Sequence, residues 1–188
     1  MPKNKAKNTP QQIQALRAGN KEAFRAVFME YQPHLYRYLW LRVRSVEMAE
    51  DLVQETFVRL WQTRKKLDPG HNLEVYLFRI ARNLAINTMR TIKRRQTFRF
   101  NDELNPLSSI STDDTVEYTQ LAQLIDDVIL SLPEKSRTAF LLSRYEELSH
   151  KEVAAVMGVS VKTVEKHIGK VLEVLKKQLA KFEFIAQT

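Results

Sequence analysis

Cysteine is absent from the 188-residue chain, which excludes disulfide bonds, zinc–thiolate sites and thiol nucleophiles. Glycine and proline are scarce, with four and six residues, whereas Leu, Ala, Lys, Glu and Arg are abundant, a balance that favours helices over β-sheet. No apolar run has the length that spans a bilayer, and no apolar segment follows the basic N-terminus to make a secretory signal. We therefore expect an all-α, soluble, cytoplasmic protein without direct membrane insertion.

The charge is strongly positive: 30 Lys and Arg against 22 Asp and Glu give a formal net charge of +8. A basic surface usually serves a polyanionic partner, either nucleic acid or an anionic membrane. Solubility alone is the simpler interpretation.

Apolar spacing divides the chain into two helical regions. From Ile13 the apolar residues recur at helical intervals, Pro33 is predicted to interrupt them, and Ser45 and Asn72 are predicted to cap the next two helices, the first of which runs to about Leu67. After a polar stretch, the predicted helices are Val116–Leu132, Glu134–Tyr145, His150–Met157 and Val161–Phe182.

The polar stretch Asn101–Glu117 contains five acidic residues and neither Lys nor Arg, which is typical of a flexible linker. We therefore predict two small helical domains, residues 11–97 and 117–186, joined by a linker over residues 98–116.

The segment Leu148–Lys177 has the pattern of a helix-turn-helix. Ser149 and Glu152 have capping-box spacing, and Gly158 can adopt the positive φ that a tight turn between helices needs. The second helix carries an apolar stripe made of Val161, Val164, Ile168, Val171 and Leu175.

The other face of that helix is basic, which suits a DNA-reading helix. Lys166 and Lys170 would reach bases or phosphates, and Glu165 would accept a hydrogen bond from a cytosine amino group. Ser160 is predicted to cap this helix, and it lies with Lys162 and Thr163 near the helix N-terminus, where phosphates are favoured. The alternative is a helical hairpin with a solvated lysine face.

The first domain carries two contrasting surfaces. Asp51 and Glu55 lie one helical turn apart with Gln54 beside them, and this acidic strip suggests a docking site for a basic protein surface, although an ordinary solvated helix face is the alternative. Further along, cations alternate with the rings of Tyr76 and Phe78, which suits single-stranded nucleic acid. The alternative is that Tyr76 belongs to the core and Phe78 is partly exposed.

Four motifs carry a resemblance to one family. In chain order they are AEDLVQETFVRLW, YLFRIARNLAIN with basic residues after it, LPEKSRTAFLL and LSHKEVAAVMGVSVKTVEKHIGKV. On these motifs the sequence resembles the bacterial RNA polymerase sigma factors of the extracytoplasmic-function type, in the sigma-70 family. The resemblance implies a two-domain subunit of RNA polymerase that directs promoter recognition, DNA melting and transcription initiation, without a cofactor or catalytic residues of its own.

The resemblance also implies roles for each surface. Asp51, Gln54 and Glu55 would dock on the β′ clamp helices of core RNA polymerase. The second domain would read the minus-thirty-five element through Lys162 to Lys170 and would also contact the β flap. The minus-ten element would be captured by Lys65, Lys66, His71, Asn72, Tyr76, Arg79, Arg82 and Asn83. An anti-sigma factor would hold the protein inactive.

Three residues depart from the family pattern. His71 and Asn72 stand where a serine-rich loop is usual, and Gly169 stands in the recognition helix where many relatives carry a larger side chain.

Two other function classes are alternatives. A stand-alone helix-turn-helix regulator of the LuxR type would bind promoter DNA without core polymerase. A nucleic-acid enzyme is disfavoured because the histidines are scattered and no carboxylate cluster has metal-ligand or acid–base spacing. The histidines are His34, His71, His150 and His167.

Overall fold

The computed structural model describes the backbone of residues 9–98, 128–129 and 131–186. Over these ranges the backbone forms helices and turns without a strand, which confirms the predicted all-α class. The helices are α1 (Pro10–Arg17), α2 (Lys21–Val43), α3 (Val46–Thr63), α4 (Leu73–Phe98), α5 (Glu134–Arg144), α6 (His150–Met157) and α7 (Val161–Ala186). A 3-10 turn, Arg64–Lys66, follows α3.

The helices divide into two units, α1–α4 before residue 104 and α5–α7 after it. Residues 99–116 of the predicted linker lie outside the described residues, as does most of the helix predicted from Val116 to Leu132. The predicted domain limits therefore remain predictions.

The N-terminal unit is a bundle in which α2, α3 and α4 pack against one another and α1 packs against α2. Aromatic rings join α2 to α3: the ring centroid of Phe57 lies 6.2 Å from that of Phe24 and 4.7 Å from that of Phe28. Burial of each large apolar side chain contributes about 1.5–3 kcal/mol to folding. The side chains with no exposed surface include Leu16, Val27, Leu35, Leu39, Leu60, Leu77 and Phe78.

Helix α2 runs through Pro33, contrary to the predicted interruption. A proline inside a helix removes one backbone hydrogen bond and clashes with the preceding turn, at a cost of about 3 kcal/mol. Tyr31 and Leu35, on either side of Pro33, are both buried, so core packing holds the two halves of α2 in one helix. Tertiary burial thus outweighs the local preference.

Helix α3 begins as predicted, because the Ser45 hydroxyl accepts a hydrogen bond from the backbone amide of Met48 at 3.2 Å. It ends earlier than the predicted Leu67. The α-helical backbone stops at Thr63 and tightens into the 3-10 turn, closed by the amide of Leu67 donating to the carbonyl of Arg64. The turn leaves Lys65 and Lys66 exposed.

The C-terminal unit contains the predicted helix-turn-helix. The Ser149 hydroxyl accepts from the amide of Glu152, whose carboxylate accepts from the Ser149 amide at 2.9 Å, so the capping box is confirmed. Gly158 ends α6 with φ of 68°, and its amide donates to the carbonyl of Ala154 at 2.8 Å. Both α5 and α6 pack against α7.

The apolar stripe of α7 is shorter than predicted. Val164, Ile168 and Val171 are buried and Leu175 is half-buried. Val161 is 39% exposed, because it is the first residue of α7 and lies ahead of the turn at which the helix meets the core.

Candidate functional site

The acidic strip Asp51, Gln54 and Glu55 is exposed on α3, while the opposite side of that helix is buried. Glu55 accepts a hydrogen bond from Nε of Arg59 at 2.8 Å, and both side chains stay 46% exposed. Such an exposed pair contributes less than about 1 kcal/mol and releases readily to another partner. The strip is thus available for docking, and its role remains a prediction.

An apolar side chain extends the acidic strip. Val58 follows Gln54 and Glu55 by one helical turn and is 47% exposed. Val58 was not among the predicted residues of the strip, although it lies seven residues, or two helical turns, after Asp51. Protein interfaces combine polar groups with apolar contacts. Carboxylates beside an exposed valine therefore suit a protein partner better than a surface of carboxylates alone.

The basic turn, Lys65 and Lys66, is anchored by its neighbour Arg64. One guanidinium nitrogen of Arg64 donates to the carbonyl of Trp61 at 2.6 Å, and Cζ lies 4.1 Å from the centroid of the indole ring. Gly19, with φ of 84°, lies beside this guanidinium: a Cβ there would be 3.6 Å from Nε. Arg64 therefore connects the turn between α1 and α2 to the basic turn.

The loop before α4 is organised by Asp68. One carboxylate oxygen accepts from the amide of Gly70 at 2.8 Å, and the other lies 3.0 Å from Nδ1 of His71, whose side chain is 81% exposed. The Asn72 side-chain oxygen accepts from the amide of Glu74 at 2.9 Å, so Asn72 caps α4 as predicted. His71 is therefore presented outward, whereas that oxygen of Asn72 serves the helix start.

The first half of α4 presents the remaining predicted minus-ten residues. The guanidinium carbon of Arg79 lies 5.4 Å from the centroid of the half-buried Tyr76 ring. Nη1 of Arg82 donates to the side-chain oxygen of Asn83 at 3.4 Å, and Arg79 and Asn83 are exposed. Beyond them, the cationic surface continues with Arg90, Lys93 and Arg94.

Phe78 was predicted either to contribute its ring to this surface or to be partly exposed, and both predictions are wrong. Phe78 is 0% exposed and meets the Tyr38 ring edge-on, with centroids 5.4 Å apart. At this point α4 faces α2, so Leu77, Phe78 and Ala81 all belong to the core. Tyr76 is the aromatic residue of the surface.

Sequence analysis missed Thr63. Its hydroxyl lies 2.6 Å from the carbonyl oxygen of Arg59 and 2.8 Å from the hydroxyl of Tyr76. Thr63 and Tyr76 are separated in the chain by the basic turn and the loop before α4, and no local sequence signal pairs them.

The predicted recognition helix begins with a polar cap. The Ser160 hydroxyl accepts from the amide of Thr163 at 3.2 Å and lies 2.8 Å from the Thr163 hydroxyl. Ser160 is thereby confirmed as the cap of α7. On the exposed face lie Lys162, Glu165, Lys166, Gly169 and Lys170.

His167 lies on the inner side of α7 and connects it to α5. Its Nδ1 is 3.0 Å from the hydroxyl of Ser136. Burial lowers the pKa of His167 below its ordinary value of 6.5, and the nearby cations Lys170, Lys135 and Lys166 lower that pKa further. This contact joins residues far apart in the chain, and sequence analysis did not identify it.

In residues 9–98 and the described part of 128–186, no three His, Asp or Glu side chains are grouped so as to hold a metal ion. None of the described helices combines the length and apolar character that crossing a membrane would require.

Comparisons with known proteins give a consistent result for both units. The family model described as sigma-70 region 2 matches residues 27–95, and the one described as sigma-70, region 4 matches residues 122–175. The first match disfavours a stand-alone regulator, because it covers the unit that has no helix-turn-helix.

Curated relatives span nearly the whole chain. The chain is 30% identical over 178 residues to the ECF RNA polymerase sigma factor SigW of Bacillus subtilis, covering 89% of this chain and 94% of the relative. It is 27% identical over 187 residues to the RNA polymerase sigma-H factor of Pseudomonas aeruginosa, covering 90% and 92%.

Solved structures share the fold. CnrH, determined in complex with the cytosolic domain of CnrY, matches with a TM-score of 0.69 and 25% identity over 93% of this chain and 98% of that one. The sigma factor RpoE of Bartonella quintana, determined with the anti-sigma factor NepR, matches with a TM-score of 0.72 and 22% identity over 84% and 96%. The chain therefore belongs to the extracytoplasmic-function sigma factors of the sigma-70 family, which direct RNA polymerase to initiate transcription at promoters.

Proposed function

We propose that this sigma factor divides promoter recognition between its units. The acidic strip docks the N-terminal unit on the β′ clamp helices, the basic turn and the first half of α4 bind the minus-ten element, and α7 reads the minus-thirty-five element. The observation that carries this proposal is the uneven distribution of charge. Among the described residues, α3 exposes four carboxylates against one cation, Arg59, whereas exposed cations predominate on the basic turn, α4 and α7.

The minus-ten surface has the chemistry needed to hold opened DNA. Unpairing and unstacking a base costs a few kcal/mol. Cations on the freed strand and a ring on which a base can stack offset that cost. Lys65, Lys66 and Arg79 supply exposed cations, and Tyr76 supplies a ring whose orientation is fixed.

The recognition helix has the chemistry needed to read duplex DNA. Lys162, Lys166 and Lys170 follow one another at intervals of four residues along α7, and Glu165 comes three residues after Lys162, so that the exposed side chains share a groove-facing surface. The Ser160 and Thr163 hydroxyls lie at the helix N-terminus, where the helix dipole favours a phosphate.

The protein acts by positioning, and the polymerase performs the bond-forming chemistry. We therefore assign no catalytic residue to it and place its action in the cytoplasm, where polymerase and DNA are found. We further propose that an anti-sigma protein holds it inactive, as the complexes of CnrH with CnrY and of RpoE with NepR support for related folds.

Charge reversal tests the docking surface. In the variant Asp51→Lys with Glu55→Lys, lysines would face the basic clamp surface, and like charges brought together at an interface cost several kcal/mol. We expect the variant not to co-purify with core polymerase at concentrations at which the original chain saturates core polymerase. Its thermal unfolding should shift only slightly, because both side chains are exposed and the Glu55–Arg59 pair that is lost contributes less than about 1 kcal/mol.

The matched control is Glu30→Lys with Glu173→Lys, which makes the same change in net charge at exposed positions on α2 and α7 instead of α3. It should bind core polymerase normally. Normal binding by the strip variant, or equal loss in both variants, would contradict the docking assignment.

A further inference from the structure

Thr63 lies between the two proposed binding surfaces of the N-terminal unit, the acidic strip and the minus-ten surface. It is the last residue of α3, the helix that carries the acidic strip, and it directly precedes the basic turn. Its hydroxyl approaches the carbonyl of Arg59 at 2.6 Å and the hydroxyl of Tyr76, on α4, at 2.8 Å. A carbonyl only accepts, so the Thr63 hydroxyl donates to Arg59 and accepts the hydrogen bond from Tyr76.

This hydrogen bond fixes the Tyr76 ring from its polar end. The ring is half-buried, and the Arg79 guanidinium lies 5.4 Å from its centroid. The hydroxyl lies on the axis of the ring, so the bond holds the far end of the side chain in place and keeps the ring in one χ1 rotamer beside the Arg79 cation. Tyr76 and Arg79 are therefore presented as one oriented pair.

Two adjacent residues anchor the start of the basic turn. The Thr63–Tyr76 bond joins the end of α3 to α4. Arg64, the next residue, packs on the Trp61 ring and against Gly19. Lys65 and Lys66 leave this anchored frame directly and are exposed.

We propose that Thr63 is a positioning residue for the minus-ten surface, holding Tyr76 and the basic turn in the orientation that captures an opened strand. The inference rests on the proposed function, because it assumes that this surface contacts the minus-ten element. Thr63 acts through Tyr76. Its contribution is preorganisation: a ring and turn already fixed before DNA arrives lose less conformational freedom on binding.

The test measures promoter opening by permanganate reactivity of unpaired thymines. The templates are promoters mapped with the original chain and core polymerase on genomic DNA. Thr63→Val keeps the side-chain shape but removes the bond and leaves the Tyr76 hydroxyl without its acceptor. We expect open-complex formation to fall about three- to tenfold, with unchanged affinity for core polymerase. Thr63→Ser retains the hydroxyl and should restore opening to within about twofold.

A second variant approaches the bond from the other side. Tyr76→Phe removes the phenolic hydroxyl but leaves the bond from Thr63 to Arg59 intact. Because both changes delete one interaction, the double variant Thr63→Val with Tyr76→Phe should be no worse than the more affected single variant. Additive losses would contradict a shared role.

Arg79→Ala separates failure of this inference from failure of the proposed function. If Arg79→Ala reduces opening while Thr63→Val does not, the minus-ten surface is correctly placed and the positioning role is overturned. If neither reduces opening, the surface itself is misassigned and both proposals fall. If Thr63→Val lowers core binding as much as opening, Thr63 is a general structural residue and the inference is overturned.

Discussion

At the scale of single residues, Gly169 gives the clearest expectation. It lies inside α7 on the exposed face, and a Cβ built there would meet no atom within 4 Å. Glycine inside a helix costs about 1 kcal/mol relative to alanine. Gly169→Ala should therefore stabilise the C-terminal unit by up to about 1 kcal/mol, seen as a higher urea midpoint for the methyl NMR signals of Val164 and Val171.

The same variant tests the backbone of the recognition helix. If promoter affinity stays constant while stability rises, Gly169 makes no close backbone approach to DNA. A drop in affinity together with the gain in stability would show that DNA needs the space that glycine leaves open. A fall in stability would contradict the open environment of Gly169.

His167 predicts a dependence of stability on pH. Its pKa is lowered in the folded chain, first by burial and then by Lys170, Lys135 and Lys166. As the pH falls below about 7, His167 therefore takes up a proton more readily in the unfolded chain than in the folded chain. The free energy of unfolding decreases as the pH falls through this range. Above that pH His167 is neutral in both the folded and the unfolded chain and adds nothing to the pH dependence of stability.

The measurement compares urea unfolding of the C-terminal unit at pH 7.5 and pH 5.5, again through the methyl signals of Val164 and Val171. His167→Asn keeps a polar atom near Ser136 but does not titrate, so it should lose less stability between the two pH values than the original chain. Both tryptophans, Trp40 and Trp61, lie in the N-terminal unit, and their fluorescence reports that unit separately. An identical loss in both proteins would remove His167 as the cause.

Which residue details were predictable follows from the range of the interaction. Ser45, Asn72, Ser149 and Ser160 were identified as caps because a cap bonds to an amide two or three residues away. The Thr63–Tyr76 and Ser136–His167 hydrogen bonds span separate helices, so sequence alone gave no signal for them. Phe78 was misplaced because the periodicity of α4 does not reveal which side faces α2.

At the scale of helices, boundaries that depend on local chemistry were predicted well. The helix predicted over His150–Met157 has the same bounds in the structure, since a capping box and a glycine define its ends. Helix α2 was wrongly divided at Pro33, because local rules cannot weigh the burial of Tyr31 and Leu35 against one missing hydrogen bond. Burial decides that competition, and it is a property of the assembled unit.

Helix α7 carries a prediction about DNA affinity. Lys166→Ala with Lys170→Ala removes two exposed cations from the proposed groove-facing side. Removing a cation that neutralises one phosphate should reduce the slope of log affinity against log salt by about 1. We expect weaker holoenzyme binding to a mapped promoter and a slope shallower by about 2 if both lysines bind phosphates.

The matched control lies on the same helix. Lys176→Ala with Lys177→Ala removes the same charge from exposed positions two turns further along α7. This control should leave the salt slope within error of the original chain. Equal effects from both pairs would indicate that only net charge matters and that the reading face is misplaced.

At the scale of the whole molecule, an all-α chain with a net charge of +8 joins two units of different purpose. Composition predicted the helical class and a polyanionic partner, and the order of four motifs predicted the family. The assignment of individual side chains to clamp, minus-ten and minus-thirty-five contacts stays a prediction, because each contact needs a partner surface that the chain alone does not contain.

The most direct measurement is transcription in vitro with core RNA polymerase, this chain and sheared genomic DNA, followed by mapping of RNA 5′ ends. The account predicts a limited set of start sites that are absent with core polymerase alone, share two upstream sequence elements, and disappear with the Asp51→Lys, Glu55→Lys variant. If the chain adds no start sites to those of core polymerase alone, its action as an initiation factor is contradicted.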